Sequence, residues 1–151
     1  MRPKILAMDL EGTLISNAIS QIARPGLAEF LAGARRQFET LVMFTTVPEE
    51  RFRNIAELLV RERSAPEWFA DIHFVQWSGK TKDLSFVSKR IGDALLLDDY
   101  APYVHLGQEH LWVEVPLFAS PYAMNDDGLS VASGRLLERV EELNAASGKM
   151  S

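Results

Sequence analysis

The stretch Ile5-Leu6-Ala7-Met8-Asp9-Leu10-Glu11-Gly12-Thr13-Leu14 decides how the rest of the chain is read. Four consecutive apolar residues without polar alternation describe a strand buried on both faces, the habit of a parallel sheet. The run stops on an acid and Gly12-Thr13 turns the chain, so the strand delivers a carboxylate into a loop at its C-terminal end. The arrangement recurs downstream. Leu41-Val42-Met43-Phe44 ends in Thr45-Thr46, Ile72-His73-Phe74-Val75 leads into Trp77-Ser78-Gly79-Lys80, and Ala94-Leu95-Leu96-Leu97 ends in Asp98-Asp99.

Helical patterns separate these runs. Pro25-Gly26 opens a segment with Leu27, Phe30, Leu31 and Ala34 at helical spacing, closed by Arg35-Arg36, whose charges suit a helix C-terminus. Pro48 starts another reaching about Val60, a third is expected near Leu84 to Arg90, and an amphipathic helix near Val131 to Leu143 follows a short strand, Leu111 to Val115. Strands alternating with helices predict an α/β fold: a three-layer α/β/α sandwich around a central, mainly parallel sheet. Ligands of such sheets bind at the carboxyl ends of the strands. Residues 1–144 are expected to form one domain and 145–151 a frayed tail.

Sixteen Lys and Arg against twenty-one Asp and Glu leave a net charge of −5, which repels a phosphodiester backbone and argues against a nucleic-acid partner. With no cysteine, disulfides, thiolate catalysis and thiol-based zinc sites are excluded, and no apolar segment is long enough for export or membrane insertion, so a cytoplasmic location is expected. His73, His105 and His110 follow no metal-binding spacing. Gly79-Lys80-Thr81 echoes the end of a P-loop, but Phe74 stands where the upstream glycine would be required. Trp68, Trp77 and Trp112 read as packing residues, with Trp77 near enough to a strand tip to touch a ligand.

Asp9-Leu10-Glu11-Gly12-Thr13-Leu14 after an apolar strand resembles the first motif of the haloacid dehalogenase (HAD) superfamily, Thr45 the second, Lys82 the third and Asp98-Asp99 the fourth. The closer resemblance is to compact phosphatases related to the NLI-interacting factor and the RNA polymerase carboxy-terminal-domain phosphatases. It is carried by Arg24-Pro25-Gly26, Lys82-Asp83-Leu84-Ser85, Leu96-Leu97-Asp98-Asp99, Val115-Pro116-Leu117-Phe118 and Asn125-Asp126-Asp127.

The resemblance implies a Mg²⁺-dependent phosphomonoester hydrolase with a HAD-like Rossmannoid fold. Asp9 would be the nucleophile that forms an aspartyl-phosphate, Glu11 the general acid/base, Thr45 a donor to a phosphoryl oxygen and Lys82 the cation that screens the charge. Gly12, Thr13 and Thr46 would line the substrate. Magnesium would be held by Asp9, the backbone carbonyl of Glu11, Asp99 and Asp98, with Asp98 holding Lys82 or a water at the metal. Lys80 competes with Lys82 for the cationic role on position alone. Glu11 departs from the Asp usual in this group and resembles instead the Asp-Ile-Glu-Gly-Thr motif of the enolase-phosphatases.

About thirty residues separate Leu14 from Thr45 and as many separate Thr46 from Lys80, and a helix with its connections consumes each interval. No sizeable cap domain fits. An open site suits a phosphoprotein loop, or a small phosphate ester if an oligomer covers it. The alternative expectation is a catalytically weak or inactive HAD-fold module that binds phosphate or protein.

Overall fold

In the computed structural model, which describes residues 2–150, the chain runs β1 (Ile5–Met8), α1 (Leu27–Gln37), β2 (Thr40–Met43), α2 (Glu49–Arg61), β3 (His73–Phe74), β4 (Ala94–Asp98), β5 (Trp112–Glu114) and α3 (Gly128–Met150). The five strands form one sheet in the order β3-β2-β1-β4-β5, and every pairing is parallel. β1 is central because it has nothing polar to show: Leu6, Ala7 and Met8 are wholly buried, as is all of β4. Both faces of the sheet's middle are therefore covered, as a parallel sheet requires. The fold is the expected α/β Rossmannoid sandwich, and it carries no large cap.

α1 turns Leu27, Phe30, Leu31 and Ala34 inward, and α2 turns Phe52, Ile55, Ala56 and Leu59 inward, each set one helical turn apart. Glu49 and Glu50 in the first turn of α2 and Arg61 in its last complement the helix dipole. α3 packs against α1 and β5. Its Arg139 donates to the carbonyls of Trp112 at 2.6 Å and His110 at 2.9 Å, and its Arg135 donates to that of Glu114 at 2.8 Å. The bonds to Trp112 and Glu114 satisfy carbonyls of the edge strand β5 that would otherwise be offered to another chain.

Three elements differ from the pattern reading. The helix expected near Leu84 to Arg90 is a single 3₁₀ turn, Leu84–Phe86, opened by Asp83, whose side chain accepts the Ser85 N–H. Leu84 alone in that turn is buried, and Ile91 beyond it stays 39% exposed, so no buried apolar face continues to reward a longer helix. β3 is two residues long, although the Val75 N–H still reaches the Met43 carbonyl at 2.9 Å. α3 exceeds its predicted limits at both ends, through Met150; Ser151 lies outside the described residues.

Parallel pairing puts all strand C-termini on one edge. The register sets Met8 beside Met43 and Leu97, so Asp9, Phe44 and Asp98 follow in one row. Between β1 and α1 the chain makes a hooked loop: Ile15 bridges Ala23, the Ser16 N–H bonds the Ile22 carbonyl, and Asn17 Oδ1 accepts the N–H groups of Ile19 and Ser20.

Candidate active site

Lys82 stands at the centre of the strand edge, wholly buried after the loop that holds Trp77 and Gly79-Lys80-Thr81. Its backbone N–H donates to the Tyr103 carbonyl at 2.7 Å, which fixes the loop. Its ammonium donates to Asp9 Oδ1 at 2.8 Å and to Asp98 Oδ2 at 2.6 Å, and the ring of Tyr103 lies 4.8 Å away on another side. Lys80 is exposed, so of the two lysines it is Lys82 that enters the acid cluster.

Asp9 is buried at the tip of β1, and Asp98 at the tip of β4 is fully so. Half-buried Asp99 joins them, and one carboxylate oxygen from each of the three lies within 4.8 Å of the others. Asp98 is already engaged at both oxygens, since Oδ1 accepts the Tyr100 N–H at 2.9 Å. Thr13 Oγ1 lies 2.9 Å from Asp9 Oδ2 and 3.0 Å from Asp99 Oδ1. One hydroxyl proton cannot serve two carboxylates, so a negative oxygen here is short of a positive partner.

The electrostatics state the same deficit. Burial pushes the Asp9 carboxyl well above the usual carboxylate range; Lys82 opposes this and the charge of Asp98 adds to it. Asp98 is raised by burial too, against the pull of Lys82. For Lys82, burial works against its charge, but Asp9 and Asp98 overcome that and hold its pKa above the ordinary lysine value. Three acids and one ammonium leave the cluster in need of positive charge. Clustered hard carboxylate oxygens are the donors that Mg²⁺ takes, and a divalent cation would favour the charged form of the Asp9 carboxyl against its burial. The donor set fits the ion.

Gly12 sits at φ 76°, and a Cβ there would come within 2.7 Å of Leu117 Cδ1 and 2.9 Å of Asp99 Oδ2. Only glycine keeps this turn against the acid cluster. Thr45 is buried at the end of β2; its Oγ1 accepts the Val47 N–H at 3.1 Å and its carbonyl accepts the Trp77 indole N–H at 2.9 Å. Thr45 and exposed Thr46 open on a cleft of about 520 Å³ walled by Pro48, Gln76 and Trp77. Glu11 is placed differently from the acids beside it. Its Oε2 accepts the Ala18 N–H at 2.7 Å, toward the hooked loop, and it makes no side-chain hydrogen bond to Asp9, Lys82 or Asp99 among the described residues.

Arg24 has a part that no local pattern announces. Wholly buried, its guanidinium takes Asp126 with both Nε, at 2.7 Å, and Nη2, at 3.2 Å, while Nη1 reaches the carbonyls of Gly12 at 3.4 Å and Thr13 at 3.2 Å. The Arg24 hydrogen bonds hold the Asp126 carboxyl below the usual range. The pair ties the acid-bearing turn to the start of α3 across 102 positions of sequence, a contact that the two motifs containing these residues do not announce.

Among the described residues no helix is long and apolar enough to cross a membrane. A comparison with curated proteins finds no match. The family model described as NLI interacting factor-like phosphatase matches residues 4–147, a span that holds all five strands, the acid cluster with its lysine, and the Arg24–Asp126 tie. Because that match runs through the whole sheet rather than through one motif, the chain belongs to the NLI interacting factor-like phosphatase family.

Proposed function

We propose that this protein is a Mg²⁺-dependent phosphomonoester hydrolase that works through an aspartyl-phosphate on Asp9. The observation that carries the reading is the buried Lys82 ammonium shared between Asp9 and Asp98, with Asp99 in the same cluster. A carboxylate attacking a phosphoryl group meets charge of its own sign, and this is the local field that makes such an approach tolerable. Magnesium, held by Asp9, Asp99 and the backbone carbonyl of Glu11, with Asp98 holding Lys82 or a water at the ion, would neutralise negative charge on the phosphoryl oxygens.

The rest belongs to the chain. An oxygen of Asp9 forms a bond to phosphorus as the bond from phosphorus to the ester oxygen breaks. Glu11 gives its proton to the departing oxygen, then takes one from the water that attacks the aspartyl-phosphate, and phosphate leaves with Asp9 regenerated. Thr45 and the backbone at Thr46 orient the phosphoryl oxygens, Gly12 and Thr13 shape the turn beneath them, and Lys82 screens the charge. The substrate is a phosphate monoester, small or carried on a protein, admitted by a site without a cap.

A specific observation favours a second reading. The Glu11 side chain makes no hydrogen bond to Asp9, Lys82 or Asp99 among the described residues, which suits a phosphate-binding module in which proton transfer is slow. Hydrolysis of p-nitrophenyl phosphate with and without Mg²⁺, in wild type and Asp9→Asn, separates the two. The hydrolase reading expects magnesium-dependent turnover that Asp9→Asn abolishes while the fold persists. Turnover surviving in Asp9→Asn excludes Asp9 as nucleophile, and phosphate binding by a folded wild type without turnover supports the module.

A further inference from the structure

Glu11 carries one methylene more than aspartate, and its carboxylate uses that reach to meet the Ala18 N–H at 2.7 Å. Ala18 belongs to the tight turn capped by Asn17 in the loop between β1 and α1. The carbonyl of Ala18 is held as well, by Arg51 Nη2 at 3.1 Å and Gln21 Nε2 at 3.0 Å. Gln21 lies in the same loop and moves with it. Arg51 lies on α2, the helix that follows Thr45 and Thr46, and forms no ion pair among the described residues. It is therefore the one contact in this set that ties the turn to a rigid element.

We propose that Arg51 is a positioning residue for proton transfer: by anchoring Ala18 to α2 it holds the turn where Glu11 Oε2 finds a donor, leaving Oε1 to carry the proton. This rests on the acid–base role proposed above for Glu11. It also gives the extra methylene a purpose, since an aspartate at position 11, one methylene shorter, would fall short of Ala18 at the observed backbone positions.

Leaving groups separate positioning from mere structure. A nitrophenolate departs without a proton, whereas an alkoxide needs one, so disturbing the acid slows alkyl phosphates selectively. Arg51→Ala is expected to lower kcat/KM for an alkyl phosphate such as glycerol 2-phosphate about tenfold, with kcat/KM for p-nitrophenyl phosphate kept within about twofold, because kcat/KM reports departure of the leaving group and not the later hydrolysis of the aspartyl-phosphate; the loss is a part of the roughly hundredfold that general acids contribute. Arg51→Lys, which can still donate to the Ala18 carbonyl, should recover most of the loss. Equal loss of kcat/KM on both substrates, or no loss of it, overturns the proposal.

Glu11→Gln run beside these variants keeps the two claims apart. A selective alkyl-phosphate defect in Glu11→Gln without one in Arg51→Ala leaves the acid–base reading standing and refutes the positioning role. No selective kcat/KM defect in Glu11→Gln refutes both. Amide hydrogen exchange followed by NMR tests the linkage without turnover: Ala18 N–H exchange should quicken about tenfold in Arg51→Ala and in Glu11→Asp, a change of ~1.4 kcal/mol in opening. Unchanged protection of Ala18 in Arg51→Ala overturns the proposal.

Discussion

Two glycines of α3 should respond to alanine with opposite signs. A Cβ on Gly128 would stand 1.7 Å from Arg24 Nη2, 2.4 Å from Cζ and 2.9 Å from Nε, so Gly128→Ala must evict the guanidinium. Eviction breaks the pair with Asp126 and leaves the Thr13 carbonyl without its arginine donor. Removing one side of a buried ion pair costs about 3–5 kcal/mol, and the 20% exposure of the Asp126 side chain argues for the lower end. Against that, Ala over Gly at a helix terminus returns less than the ~1 kcal/mol of a helix interior. A net loss of about 2–3 kcal/mol corresponds, at this chain length, to a fall in Tm of roughly 4–12 °C. Gly134, exposed in the same helix, has nothing within 4 Å of its Cβ position, so Gly134→Ala should gain about 0.5–1 kcal/mol. Urea unfolding followed by tryptophan fluorescence measures both. In an Arg24→Ala background Gly128→Ala should do little further harm, because the group it displaces is gone. Gly128→Ala as stable as wild type, or fully additive with Arg24→Ala, would refute the reasoning.

Lys82→Met should destabilise by about 3–5 kcal/mol near neutral pH, because Asp9 and Asp98 then face each other without a cation, and adding Asp98→Asn should recover part of it; denaturant midpoints decide. Because the Lys82 pKa is raised on folding, its contribution is complete below its unfolded value of about 10.4 and fades as pH rises beyond it, which alkaline melts of wild type against Lys82→Met can follow. Asp126 has the opposite sign: its pKa is lowered, so its contribution is present above about 3.9 and is lost as pH falls further, and the gap between wild type and Asp126→Asn should close in acid. Mg²⁺ at a hundred times its Kd should stabilise wild type by about 2.7 kcal/mol, with a much smaller gain in Asp99→Asn, as read by calorimetric melting.

Much of this protein was legible before any coordinate. Continuous apolar runs ending in Asp9, Thr45 and Asp98-Asp99 are local signals, because strand burial and chain reversal are decided within a few residues. They reported the parallel sheet, the edge on which its tips gather, and the acids placed there. The same local logic failed at Leu84 to Arg90, where helical spacing was present but no surface waited to bury its far end.

What only the tertiary structure decided are relations between residues far apart in sequence. The motif resemblance already gave Lys82 the cationic role over Lys80, but that its ammonium lies between Asp9 and Asp98 depends on a loop pinned to the Tyr103 carbonyl. That Gly128 is needed depends on Arg24 crossing 102 positions to Asp126, and the direction taken by Glu11 depends on a turn seven residues on and a helix beyond it. A residue type announces what chemistry it can do, whereas charge pairing and desolvation depend on which groups the folded chain encloses together, and that is settled only when the whole sheet closes.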